Sequence, residues 1–208
     1  IVESPAKSKT IQKYLGEDFV VLPSVGHVRD LPKSNKDAVD IENGFLPRYV
    51  IPDKKQEVLD AIKDAAKDAK EIYLATDPDR EGEAIAWHLL EAWDDSSIEK
   101  KTQRAVFHEI TKDAVLNALA HPKTLNTHLV DAQQARRILD RLVGYKLSPV
   151  LWKKVKPSLS AGRVQSVAVR LLVEREREIY DFNPEQTYKI VATFEADKQA
   201  IPAELNTR

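Results

Sequence analysis

The pattern of apolar and polar positions over the first 125 residues alternates between two periods, and this predicts an α/β fold. Residues 72–76 form a short, largely apolar run that is typical of a strand covered on both faces. From Arg80 onward, apolar residues recur at helical spacing, and acidic residues lie in the first turn. The turn at residues 77–79 therefore joins a buried strand to a helix, at the edge where open α/β sheets bind ligands.

The alternation of strands and helices extends to both sides of this turn. Ile1–Glu3 is predicted to end a buried strand, and Ser4 is predicted to cap the helix that begins at Pro5. This order favours a parallel sheet flanked by helices. Further strands are predicted at 19–25, 49–51 and 103–108, a loop at 33–48, and helices at 54–70 (apolar stripe Val58, Ala61, Ile62, Ala65, Ala66, Ala69) and 111–120 (N-cap Thr111).

Carboxylates are concentrated at the predicted ligand-binding edge of the sheet. Asp77, Asp79 and Glu81 would repel one another in one small loop unless a cation lay among them, and carboxylate oxygens suit Mg²⁺. Glu3 also follows a strand, and it would face this cluster if the two strands are neighbours. The alternative is a set of solvated acids that only cap the helix.

The composition changes after residue 125 and becomes locally basic. A helix is predicted at 131–145, ended by Gly144, with an apolar stripe to pack inward and an opposite face that carries like charges at Arg137 and Arg141. That repulsion is better explained by a bound anion, although a solvated charged face is the alternative. The apolar stripe comprises Ala135, Ile138, Leu139 and Leu142. Between residues 131 and 170 there are only two acidic residues, Asp131 and Asp140, but nine basic ones (136, 137, 141, 146, 153, 154, 156, 163, 170), which is typical of a surface that meets a phosphate backbone.

Two aromatic residues and a second helix continue this basic region. Tyr145 and Trp152 lie among the charges, and aromatic platforms suit unstacked bases. A helix predicted at 163–180 is apolar nearly all round, so burial is expected. Cations in its first turn oppose the helix dipole, which indicates a phosphate partner for Arg163. Strands are predicted at 187–194 and 203–206.

The overall composition sets few limits on function. The chain of 208 residues has 32 basic and 33 acidic residues and a net charge of −1, which does not mark a nucleic-acid binder, so any such role has to rest on local clusters of charge. It contains no cysteine, no apolar run near 18 residues, no signal peptide and no nucleotide-binding glycine motif, which predicts an intracellular protein that uses no ATP. The absence of methionine and the start in mid-strand predict a fragment of a longer polypeptide.

Three segments together resemble the type IA DNA topoisomerases of bacteria. They are IVESPAKSKTI at 1–11, ATDPDREGEAIAWH at 75–88 and LSAGRVQSVAVRLLVEREREI at 159–179. The resemblance implies a TOPRIM domain over residues 1–125, with a parallel sheet flanked by helices. A helical DNA-binding segment over 126–182 and the first strands of a further domain over 183–208 would follow it.

The resemblance also implies roles for individual residues. Glu3 would transfer a proton near the scissile phosphate, Lys7 would stabilise that phosphate, and Arg163 would also act in catalysis. Glu3, Asp77, Asp79 and Glu81 would be the ligands of Mg²⁺. The single-stranded DNA groove would comprise Arg136, Arg137, Asp140, Tyr145, Ser160, Arg163 and Gln165.

The activity implied by the family is relaxation of negatively supercoiled DNA. One strand is cleaved through a 5′-phosphotyrosine link, another strand passes, and the break is resealed, with Mg²⁺ and without ATP. The protein would act in the cytoplasm, at the nucleoid. Two alternatives remain open, namely another TOPRIM phosphoryl-transfer enzyme, such as a primase or nuclease, and a non-catalytic DNA-binding module. None of Tyr14, Tyr49, Tyr73, Tyr145, Tyr180 and Tyr188 has the sequence neighbours of the family's nucleophile, so that residue is expected outside the chain.

Overall fold

A computed structural model describes residues 1–33 and 38–205 of the chain. The described residues divide into two compact units, at 1–162 and at 163–205, and each is considered by itself. Among the described residues, no helix combines the length and the apolar character needed to cross a bilayer. The division into domains at 125 and 182 stays a prediction.

The first unit is built on a short parallel sheet, as the sequence predicts. Strand β3 (Ile72–Leu74) pairs in parallel with β4 (Thr102–Arg104). On the other side of β3, the Ile1 nitrogen donates to the Tyr73 carbonyl at 2.6 Å, and the Ala75 N–H donates to the Ile1 carbonyl at 2.7 Å. Val2 in turn forms a parallel bridge with Pro23. Residues 3 and 77 therefore leave neighbouring strands at the same edge of the sheet.

Several predicted strands are shorter than their apolar runs. The run 19–25 contributes only the bridge at Pro23, and the run 49–51 only an antiparallel bridge between Val50 and Asp30. The predicted strand 103–108 ends at Arg104. The predicted loop 33–48 contains a small hairpin of β1 (Val39–Asp40) and β2 (Leu46–Pro47), and its residues 34–37 lie outside the described part. In the three shortened runs, the rest of the extended backbone has no continuous hydrogen-bonded neighbour, so it does not form a strand.

Of the helices predicted in the first unit, one departs clearly from its predicted position, and the short helix at Ser96–Lys100 was not predicted. Ser4 and Thr111 cap their helices as predicted, because each side-chain oxygen accepts from the N–H three residues on. The helices are α1 (Pro5–Leu15), α2 (Asp53–Asp68), α3 (Arg80–Trp93), α4 (Ser96–Lys100), α5 (Lys112–Ala120) and α6 (Thr127–Lys154).

Two apolar clusters, one on each face of the sheet, form the core of this unit. One joins α2 and α3 to β3 through side chains such as Ile62, Leu74 and Leu89, and the other packs α1 and α5 around Val2 and Val115. The buried residues of α2 are Leu59, Ile62 and Ala66. The predicted stripe was therefore partly wrong, since Ala61 and Ala65 are exposed.

Helix α6 is the exception to the predicted boundaries, and its orientation also differs. It continues through Gly144 and Pro149 to Lys154, because a single glycine inside a helix costs only about 1 kcal/mol relative to alanine. Its packing partner is α3. The residues buried along α6 are Val130, Gln133 and Ser148, whereas Ala135 and Leu139 of the predicted stripe are exposed. Polar side chains of α6 thus face the first unit's interior.

The second unit consists of α7 (Arg163–Asp181) and an antiparallel hairpin of β5 (Val191–Ala196) and β6 (Gln199–Glu204). The predicted burial of α7 is wrong for the described residues, since side chains such as Val167, Leu171 and Leu172 are exposed. A helix that is apolar all round needs partners on every side, and one hairpin is too small to provide them. The predicted strands 187–194 and 203–206 begin and end elsewhere, and Asn206 lies outside the described residues.

Candidate active site and nucleic-acid interface

Glu3, Lys7 and Asp77 meet at the carboxyl edge of the sheet. Glu3 ends the first extended segment, and Asp77 follows β3 on the neighbouring strand. Helix α1 brings Lys7 one turn above Glu3. The Lys7 Nζ donates to Glu3 Oε1 and also, at 2.5 Å, to Asp77 Oδ1. Burial lowers the pKa of Lys7, but hydrogen bonds and charges from Asp77 and Glu3 outweigh burial, so the pKa is raised and the ammonium is retained.

The turn that presents Asp77 is fixed by hydrogen bonds to its backbone. The buried Thr76 hydroxyl donates to the Gly82 carbonyl at 2.7 Å, and the Asp79 carboxylate accepts from the Gly82 N–H at 2.8 Å. Asp79 is thus the N-cap of α3. Gly82 is required by close approach, since a Cβ there would lie 2.0 Å from the Asp77 carbonyl oxygen.

A buried arginine supports the same turn from below. Arg104 donates to the backbone carbonyls of Leu74, Thr76 and Asp77, the last two at 3.2 and 3.3 Å. Its guanidinium pairs with the Glu83 carboxylate at 2.9 Å. Glu83 Oε2 also accepts from the Asn126 N–H at 3.2 Å, at the N-cap of α6. One ion pair therefore links the acidic turn to the start of α6.

Glu81 points away from the other carboxylates and toward α6. Its Oε1 accepts from Arg136 at 3.2 Å, and its Oε2 accepts from Gln133 Nε2 at 3.2 Å. The His27 Nε2 lies 3.3 Å from the same Oε2. The family resemblance implies that Glu81 is a metal ligand, and in the structure its carboxylate is hydrogen-bonded to α6 and lies beside His27.

A polar cavity of about 240 Å³ lies beside Glu81. His88, which is 2% exposed, touches it with a ring whose pKa is lowered to about 3, because burial and the nearby His27 and Arg29 disfavour the charged form. Within the described structure, Gln133 Oε1, His88 Nδ1 and the Tyr49 hydroxyl are buried without a hydrogen-bond partner. The cavity is lined by His27, Arg29, Asp30, Tyr49, Glu81, His88, Gln133, Arg136, Arg137 and Asp140.

Three of the four predicted DNA-binding residues of α6, Arg136, Arg137 and Asp140, line this cavity, whereas Tyr145 is not part of its lining. Arg137 makes a bidentate pair with Asp30, at 2.7 and 2.8 Å, and Arg136 lies 3.7 Å from Asp140. Arg141 donates to the Tyr145 hydroxyl at 2.7 Å, and its guanidinium lies 4.9 Å from the Tyr145 ring centroid. The like charges at 137 and 141 thus have partners on the 30–33 loop.

The remaining predicted residues lie after α6. Ser160 follows it within the first unit, whereas Arg163 and Gln165 lie in the first turn of α7 in the second unit. The sequence analysis missed Gln133, Glu83 and Arg104 as site residues. A buried polar side chain has no periodic signature of its own, so only the arginine in an otherwise apolar strand end could have indicated one of them.

The site offers part of a coordination shell for Mg²⁺. Carboxylate oxygens are the ligands that this ion prefers, and Glu3 Oε2 is buried without a partner among the described residues. Glu3 and Asp77 both bond to the Lys7 ammonium, so the position between them already suits a cation, and a metal ion there would take the place of that ammonium. No three acidic or histidine side chains of the described residues stand close enough to form a metal centre by themselves.

Comparison with known proteins agrees with this arrangement. Residues 1–110 match the Toprim domain, and residues 124–207 match the DNA topoisomerase domain. Full-length topoisomerase I from Thermotoga maritima, solved in a monoclinic crystal form, is 44% identical, with a TM-score of 0.74. The match covers 100% of this chain and 34% of that one, so the chain spans about a third of its length. The chain therefore belongs to the type IA DNA topoisomerases, with a Toprim domain over its first 110 residues.

Proposed function

We propose that this chain provides the phosphate-handling centre and the single-strand groove of an enzyme that relaxes negatively supercoiled DNA. The observation that carries the proposal is the cluster of Glu3, Lys7 and Asp77 at the carboxyl edge of the sheet, beside the basic side chains of α6. The DNA topoisomerase match over residues 124–207 supports this function over a primase or a nuclease. The protein would act in the cytoplasm, at the nucleoid, and without ATP.

The chemistry would be a reversible exchange of phosphoester bonds. A tyrosine oxygen bonds to the phosphorus and loses its proton as the bond from phosphorus to the 3′ oxygen breaks, and the departing 3′ oxygen takes up a proton. Glu3 would pass that proton, and it would take the proton back when the 3′ hydroxyl attacks the phosphotyrosine. Lys7 would stabilise the negative charge on the phosphate oxygens.

Magnesium, when bound, would neutralise phosphate charge and orient the reacting groups. Glu3 and Asp77 would hold it, and the family resemblance implies two further acids of the same motif, Asp79 and Glu81, whose side chains in the structure cap α3 and bond to α6. Arg104 and Gly82 would keep the turn that carries Asp77 in position.

Single-stranded DNA would lie along α6 and the segments that follow it. Arg136, Arg137 and Asp140 line the cavity, and Tyr145 lies further along α6. The family resemblance implies that Ser160, Arg163 and Gln165 would also contact the DNA. Fluorescence anisotropy of a labelled oligonucleotide at several salt concentrations tests this groove. Arg137→Ala should flatten the slope of log K against log salt by about 0.7, whereas Tyr145→Ala should weaken binding by roughly 1–3 kcal/mol at a nearly unchanged slope.

The matched control is Lys100→Ala, which removes one exposed cation on α4, away from the cavity lining. Arginine and tyrosine variants that bind like wild type at every salt concentration would refute the groove. The chain by itself should neither relax plasmid DNA nor form a covalent adduct, because the nucleophilic tyrosine is expected outside it. An adduct trapped on any of its six tyrosines would contradict that expectation.

A further inference from the structure

The four acidic residues of the candidate metal site divide into two groups that face different parts of the molecule. Glu3 and Asp77 share the Lys7 ammonium on the α1 side of the turn. Asp79 accepts from the Gly82 N–H as the N-cap of α3. Glu81, two residues into the helix, turns toward α6 instead. A helix advances about 100° per residue, so side chains two positions apart at its start point in very different directions.

Donors from two other segments surround the Glu81 carboxylate. Gln133 and Arg136 approach from α6 at 3.2 Å each, and His27 approaches from the loop after the Pro23 bridge at 3.3 Å. Gln133 and Arg136 are three positions apart, so they lie on the same face of α6. Both Glu81 oxygens are therefore directed at groups that fix where α6 lies.

The buried amide of Gln133 shows why this orientation matters. Gln133 is 5% exposed and lines the polar cavity, its Nε2 is held by Glu81, and its Oε1 is buried without a hydrogen-bond partner among the described residues. A buried acceptor without a partner is costly, so it indicates a position kept ready for a donor on a bound molecule. Glu81 sets that orientation, because an amide whose nitrogen is fixed has its oxygen fixed as well.

We propose that Glu81 is a positioning residue that holds Gln133 and Arg136 of α6 toward the cavity, and that it is not a ligand of the metal ion. This inference rests on the proposed DNA-binding function of α6. It assigns metal binding to Glu3 and the Asp77 turn alone, and it adds Gln133 to the groove as a group that contacts DNA.

The test separates metal binding from DNA binding in the same variants. Mg²⁺ or Mn²⁺ alone is titrated by calorimetry, and a single-stranded oligonucleotide is titrated by anisotropy in EDTA. Glu81→Gln should keep the metal affinity of wild type within about twofold and weaken DNA binding by about fivefold or more, since its amide cannot accept from both neighbours. Asp77→Asn should do the reverse and lower the metal affinity.

The direction of the DNA effect distinguishes positioning from bulk electrostatics. Removing a negative charge near a phosphate path should by itself strengthen DNA binding, so weaker binding requires a loss of orientation. Glu99→Gln is the matched control, because it removes an exposed carboxylate on α4 and changes the net charge equally. Its DNA affinity should equal that of wild type.

A second variant keeps the test decisive. Gln133→Ala should weaken DNA binding as Glu81→Gln does, leave metal binding unchanged, and add little when combined with Glu81→Gln, since the two groups act as one unit. Metal binding that falls in Glu81→Gln as far as in Asp77→Asn would overturn the proposal, as would unchanged or tighter DNA binding. If wild type bound no oligonucleotide at all, the proposed function of α6 would fail first.

Discussion

The guanidinium of Arg104 lies 2.9 Å from the carboxylate of Glu83, and the two side chains are 1% and 5% exposed. This pair joins the carbonyls of the acidic turn to the first backbone N–H of α6. Charges this deeply buried are tolerated only when they are paired and hydrogen-bonded, as both are here. The position of α6 relative to the turn therefore depends in part on this pair, together with the bonds of Glu81 to Gln133 and Arg136.

Glu83→Gln should destabilise the protein strongly. The substitution keeps the shape but leaves the Arg104 charge buried without a counter-charge, a loss of about 3–5 kcal/mol. Urea denaturation followed by circular dichroism measures it. Glu178→Gln, which removes one partner of the exposed pair with Arg175, should leave the unfolding midpoint unchanged. Equal effects of the two substitutions would contradict the structural role of the buried pair.

Gly82→Ala should displace the acidic turn. The added Cβ would lie within 2.0–2.7 Å of three backbone atoms of Asp77, and backbone cannot rotate away as a side chain can. We expect a loss of about 1–3 kcal/mol and a lower affinity for Mg²⁺. In the control Gly144→Ala, the nearest heavy atom is 3.6 Å away, so alanine should stabilise α6 by up to about 1 kcal/mol. A stable Gly82→Ala variant with unchanged metal binding would contradict the close approach of Gly82 to the backbone of Asp77.

Lys7→Met should raise the affinity for a divalent cation. The ammonium occupies the position between Glu3 and Asp77, so its removal leaves two carboxylates without a counter-charge. Calorimetry with Mg²⁺ should show tighter binding than in wild type, and the gain should disappear in the double variant Lys7→Met, Glu3→Gln. Unchanged affinity would mean that the ion binds elsewhere.

Stability should decrease as the pH falls from 7 to 5, partly because of His88. Its pKa is lowered to about 3 in the folded chain, so between that value and the ordinary 6.5 the unfolded chain binds a proton that the folded chain does not. The free energy of unfolding then falls with decreasing pH, by up to about 1.4 kcal/mol per pH unit. His88→Leu should show a shallower dependence in urea titrations. The exposed control His128→Gln should match wild type, and a His88→Leu slope equal to wild type would contradict the assignment.

Much of the local structure follows from the sequence. The caps at Ser4 and Thr111, the start of α3 at Arg80 and the strand before the acidic turn were all predicted from turn and cap chemistry within a few residues. These features depend on neighbours in sequence, so spacing suffices to find them. The family could likewise be recognised from three ungapped segments.

The orientation of α6 could be predicted only in part, because the apolar pattern indicated Ile138, which packs against a core cluster, but not the buried Gln133. Leu139 is exposed, whereas Gln133 is buried and Arg136 and Arg137 bond to Glu81 and Asp30. A charged face is expected in solvent unless counter-charges lie opposite, and those counter-charges come from residues more than 50 positions earlier.

The sequence by itself indicated the acids and cations of the motifs, since these follow from motif spacing and from the ends of neighbouring strands, but it did not indicate Glu83 or Arg104. Only the tertiary structure decided how the acids divide, with Glu3 and Asp77 around Lys7 and Glu81 turned to α6. The physical reason is that side-chain direction at a helix start depends on the packing of α3 against α6, and that packing depends on contacts far apart in the chain.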